Sequence, residues 1–150
     1  PADKEILRTP KWAFIFGISG QDPEIRSIEV QHALSRISTF YRNRSYRPQG
    51  HYISDLVTSE YGIGLLLDNH VNRPGYIKKC LEKALEVTGL TDPGKWTTDE
   101  ERKLIDAYLK IRENFGRSPM TDAAKRAAVT KKYLDQGVIS EERGSFDFGA

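Results

Sequence analysis

Cysteine is almost missing: Cys80 is the only one in 150 residues, so neither an intrachain disulfide nor a multi-thiolate zinc site can form. The three histidines, His32, His51 and His70, do not fall in the HExxH spacing of a zinc hydrolase. Long apolar runs are lacking too. The longest, Trp12 to Phe16 and Ile63 to Leu67, fall far short of the ~20 residues that a bilayer requires, and no membrane partner is expected. Charge of one sign is also lacking, with 23 Lys and Arg against 21 Asp and Glu. That balance is too close for a dedicated nucleic-acid binder. No P-loop, dinucleotide fingerprint, GxSxG elbow or EF-hand loop occurs, so phosphoryl transfer and α/β-hydrolase chemistry lose their usual support, and neither metal nor cofactor is expected. The chain opens on Pro1 rather than Met, as a trimmed or excised sequence does, which leaves localisation unreadable.

What is present is helical punctuation. Asp22 caps a predicted helix opened by Pro23 and Glu24, with Val30, Ala33, Leu34, Ile37 and Tyr41 on its stripe. A second helix is expected from Ser54 to about Asn69, with Val57, Tyr61, Leu65 and Asp68 in one line. A third follows Asn72 and Pro74, presents Ile77, Cys80, Leu81, Ala84 and Leu85, and stops at Gly89. Thr98 with Glu101 reads as a capping box before Leu104, Ile105 and Tyr108, and that helix stops at Gly116. A last helix, opened at Ser118 or Thr121, runs through Ala124, Ala127, Ala128 and Tyr133 to Gly137. Trp12 to Ile18 reads as a buried segment, and the tail from Glu141 is expected to wrap back onto the body. The fold class is therefore mainly α, one helical domain over 1–150 with about five main helices.

Three groups of residues are candidates for chemistry. Glu60 and Asp68 share a helix, but eight residues at 1.5 Å rise put them ~12 Å apart, beyond the ~9.5 Å limit of an inverting carboxylate pair. Asp68 between leucines is expected to be a buried acceptor of amide or guanidinium donors. Asn69, His70, Asn72 and Arg73 follow it where two helix ends meet, a place that suits either a polar groove wall or capping. Tyr41, Arg42, Arg44, Tyr46 and Arg47 interleave cations with rings, as a solvated basic loop does, or a surface that stacks on bases or sugars.

Two segments, RTPKWAFIFGISG from Arg8 to Gly20 and LLLDNHVNRPG from Leu65 to Gly75, together resemble the chitosanases of glycoside hydrolase family 46, within the lysozyme-like superfamily. After the matched Val71 the family's glycines and histidine give way to Asn72, Arg73 and Pro74. The resemblance implies a two-lobed fold with a glycan cleft, of which this chain would be the C-terminal part. It also implies a glutamic general acid and a water-activating aspartate. Arg8 matches the family arginine, Ser19 the Ser-Gly serine and Asp68 the helical aspartate. The water-activating position falls on Ile6, one residue from Glu5, which becomes the catalytic candidate. The general acid falls before Pro1, so an upstream segment or chain would complete the site.

The leading expectation is a glycan-active domain that hydrolyses or binds an amino-sugar polymer, chitosan or peptidoglycan, by paired carboxylates. It would be secreted or in the cell envelope if glycan-active. The substrate-binding candidates are Arg8, Ser19, Asp68, Asn69, His70, Asn72 and Arg73. The rival expectation is a non-catalytic helical interaction module, binding protein or single-stranded nucleic acid through the loop from Arg42 to Arg47.

Overall fold

A computed structural model describes residues 14, 15 and 18–148. The chain divides into two compact units, Pro1–Ser35 and Arg36–Ala150, and each is described by itself. Among the described residues there are six α-helices: α1 Pro23–Tyr41, α2 Ile53–Leu56, α3 Glu60–Asn72, α4 Ile77–Thr88, α5 Thr98–Glu113 and α6 Ala123–Asp135. The mainly α class read from the periodicity holds.

In the first unit, Asp22 Oδ1 accepts from the Glu24 amide at 2.8 Å and starts α1 as a carboxylate cap should. Expectation and structure part on the stripe. Val30 and Leu34 are exposed, as is Ile28, and the buried residues of this helix, Ile37, Phe40 and Tyr41, belong to its end in the second unit. Periodicity establishes which side chains share a face; it does not supply anything to cover that face. Of the segment expected to be buried, Phe14 and Ile18 are likewise exposed, while Trp12 and Phe16 lie outside the described residues.

The second unit is built around α3, α4 and α5, with α4 packed along α5 and α6 against both α3 and α5. On α4 the apolar stripe is buried as expected, from Ile77 through Cys80, Leu81 and Ala84 to Leu85. Gly89, at φ +65°, ends the helix in the left-handed conformation. The single helix expected from Ser54 to Asn69 is instead two, α2 and α3, separated at Val57, Thr58 and Ser59. Ser59 ends the gap as the N-cap of α3, its Oγ accepting from the Gly62 amide at 3.0 Å.

On α5 the capping box sits one residue earlier than expected. Thr97 is the cap and Glu100 its partner, Oε2 accepting from the Thr97 amide at 2.7 Å. Glu101 is thereby free to turn inward. On α6 the buried residue is Ala123, with Ala127 and Leu134 half-buried, whereas Ala124, Ala128 and Tyr133 are exposed; small alanines spread over a broad arc of this helix left its inner face undetermined by pattern. The tail does fold back, the Phe146 amide donating to Thr58 O at 2.9 Å and the Phe146 and Phe148 rings meeting Tyr41 edge-on at 5.6 and 5.5 Å.

Candidate binding groove

Glu5 and Arg8 lie outside the described residues. Ser19 belongs to the first unit, where its hydroxyl donates to Ile15 O at 2.8 Å. The remaining candidates gather at the end of α3 in the second unit, and most of their polar atoms serve the fold. Asp68 behaves as the enclosed acceptor expected, its side chain 15% exposed. Oδ1 receives Arg126 through Nε at 2.7 Å and through Nη2, and Oδ2 faces Arg112 Nη1 at 3.5 Å. Asn72 Nδ2 donates to Asp68 O at 2.8 Å, and the Arg73 guanidinium donates to Ser118 O and Oγ at 3.3 and 3.0 Å.

Asn69 and His70 are not at a groove wall but buried. Asn69 Nδ2 donates to Arg73 O at 3.0 Å, which caps the helix end. His70 packs 5.1 Å from the Phe40 ring, and its Nε2 lies 3.1 Å from Thr39 Oγ1. Because the one hydroxyl proton of Thr39 goes to Arg36 O at 2.6 Å, Nε2 is the donor of that pair. Burial, aided by Arg36, holds the His70 pKa below its ordinary value. A polar cluster at a helix end must satisfy the terminal carbonyls before it can serve a ligand, and here the helix end takes Asn69 and Asn72.

Glu101 is the residue that pattern reading misassigned. It is 1% exposed, and its carboxylate accepts from the Thr58 amide at 3.0 and 3.1 Å, the Ser59 amide at 2.8 Å and Thr58 Oγ1 at 3.1 Å. Arg143 Nη1 completes the set at 2.6 Å. The same guanidinium donates to Leu56 O, Asp55 O and Pro93 O at 3.1, 2.6 and 3.0 Å. The gap between α2 and α3 therefore exists because a buried anion from α5 accepts the amides that the gap releases, and a tail arginine offsets its charge.

Beside this carboxylate α3, α5, α6 and the tail enclose a groove of about 540 Å³, within the usual range for a small-molecule site. Tyr61, Ile105, Leu109 and Leu134 make its apolar lining, and four carboxylates, Glu101, Asp106, Asp135 and Glu141, line it with two cations, Arg102 and Lys131. Arg102 holds Glu141 through Nε and Nη2 at 3.0 and 2.8 Å, which keeps that carboxyl below the usual carboxylate range. Lys131 Nζ meets Asp135 at 2.5 Å. Burial raises the Tyr61 phenol. Asp106 is exposed. The sequence reads Tyr61 and Ile105 as core and Glu101 as a cap, while Arg102, Asp106, Lys131 and Asp135 do not stand out in it, because each is one charge on an amphipathic helix. Among the described residues no group of three or more His, Cys, Asp or Glu side chains gathers to hold a metal ion. No protein-family model, curated protein or solved structure matches this chain.

Proposed function

We propose that the chain binds an amino-sugar polymer, with the groove of the second unit as the sugar site. What supports this reading is one observation: a lining of polar and apolar side chains in which exposed Asp106 adds a carboxylate beyond the ion-paired Glu101, Asp135 and Glu141, beside the aromatic side chain of Tyr61. A protonated glucosamine offers the complement, an ammonium group and hydroxyls around a ring whose C–H faces pack on apolar surface. The groove carboxylates hold rather than react. Glu101 is taken by Arg143, Glu141 by Arg102 and Asp135 by Lys131, and a carboxylate so engaged is an acceptor, not a general acid.

Calorimetric titration with a glucosamine tetramer and its N-acetylated counterpart tests the reading. The deacetylated oligomer is expected to bind more tightly, and Asp106→Asn combined with Asp135→Asn to weaken it at least fivefold at low salt. No heat at millimolar oligomer, or a double variant that binds like the parent, would refute it.

A further inference from the structure

The segment from Tyr41 to Tyr52 contains Arg42, Arg44, Arg47 and His51 and no acidic residue. It is an ordered turn. Asn43 Nδ2 donates back to Thr39 O at 2.8 Å and Asn43 Oδ1 accepts from the Ser45 amide at 2.8 Å, the Tyr46 amide closes on Asn43 O at 3.0 Å, and Pro48 is buried. Arg42, Arg44 and Arg47 are nonetheless exposed. The Arg42 guanidinium lies over the Phe148 ring at 5.9 Å and that of Arg47 over the Tyr52 ring at 4.6 Å. None of the three is ion-paired with a described carboxylate; Asp55, the nearest acid in sequence, accepts instead from the Tyr52 amide at 3.0 Å. The negative end of the α1 dipole accounts for one cation just after Tyr41. It does not account for three, nor for the rings that prop two of them.

From this we infer that the turn is a binding surface for single-stranded nucleic acid, with the guanidinium N–H edges on successive phosphates and their free faces available to unpaired bases. Arginine suits both contacts, since its planar fork pairs phosphate bidentately and its flat face stacks. The turn has none of the exposed large apolar side chains that a membrane surface would engage. A duplex hides the base faces that the guanidinium planes would meet, and an acidic peptide has none. This goes beyond the glycan reading and uses different residues, so either can fail alone.

Fluorescence anisotropy with a labelled thymidine oligonucleotide of about 12 nucleotides is the test. With three phosphate contacts, log K should fall with log salt at a slope of about −2, from −0.7 per contact on a single strand. Arg44→Ala, which removes a side chain that no ring props, should reduce that slope by about 0.7. The triple variant Arg42→Ala, Arg44→Ala, Arg47→Ala should bind at least tenfold more weakly at low salt with an unchanged circular dichroism spectrum. Arg44→Lys keeps the charge and should lose several-fold, whereas Lys110→Ala with Lys132→Ala should change nothing. A triple variant that binds like the parent would overturn the inference. So would equal affinity for a duplex of the same sequence, for poly-glutamate at matched charge or for phosphatidylserine vesicles.

Discussion

Replacing Glu101 should strongly destabilise the second unit. Its carboxylate accepts from two backbone amides, one hydroxyl and the Arg143 guanidinium while 1% exposed. Glu101→Ala leaves the Thr58 and Ser59 amides without their acceptor and the Arg143 charge without its partner. Removing one member of a buried ion pair costs about 3 to 5 kcal/mol, and each orphaned buried donor about 1 to 3. The losses overlap, because all these donors converge on the same carboxylate, so we expect about 4 kcal/mol in total. Against an ordinary stability of about 5 to 15 kcal/mol, that is a large fraction, and it corresponds to a Tm lower by roughly 8 to 16 °C for a chain of this size.

Glu101→Gln keeps the shape and one carbonyl acceptor, but it loses the charge and turns an amide towards a donor. About half the loss is expected. A double-mutant cycle of Glu101→Gln with Arg143→Met, read by urea unfolding with far-UV circular dichroism, should give a coupling of about 1 to 3 kcal/mol. Arg143 also holds the Leu56, Asp55 and Pro93 carbonyls, so its own substitution should cost more than the coupling alone. Glu101→Ala that loses less than 1 kcal/mol, or a cycle additive to within about 0.5 kcal/mol, would refute the claim that this carboxylate maintains the gap between α2 and α3.

Alanine at Gly62 should destabilise, although a helical glycine ordinarily gains by that change, because the added Cβ would stand 2.5 Å from Val57 Cγ1 and 2.9 Å from Ser59 Oγ. Gly64→Ala, two residues on, meets only Thr130 Cγ2 at 3.4 Å and is expected to be neutral or stabilising; equal melting of the two variants would contradict the packing at the break. Cys80 is fully buried and burial pushes its thiol up to about 12, so an alkylating reagent at pH 8 should label it orders of magnitude more slowly in the native protein than in urea. Native and unfolded rates within tenfold of each other would place α4 differently. His70 has its pKa held below the ordinary 6.5, so below that pH the unfolded chain takes up a proton that the folded one resists, and stability should fall as pH drops from 6.5 until folded His70 itself titrates. Melting curves between pH 7 and 5 should therefore slope less in His70→Asn than in the parent, and identical slopes would exclude the imidazole as their source.

What could be read from the sequence alone is what local chemistry decides. Asp22 before Pro23 starts a helix, Gly89 ends one, and the stripe from Ile77 to Leu85 names its own inner face, because in each case the partners lie within a turn or two of the chain. Where two local solutions were nearly equal, only the tertiary structure chose. Thr97 with Glu100 and Thr98 with Glu101 satisfy a helix start equally well. The first prevails because Glu101 is needed elsewhere, by amides of Thr58 and Ser59 more than 40 residues away. The same distant carboxylate permits the break in what periodicity presents as one helix. The groove was illegible for a related reason: Tyr61, Asp106, Lys131 and Glu141 come from three helices and the tail, each ordinary in its own segment, and their proximity follows from packing that no local pattern encodes.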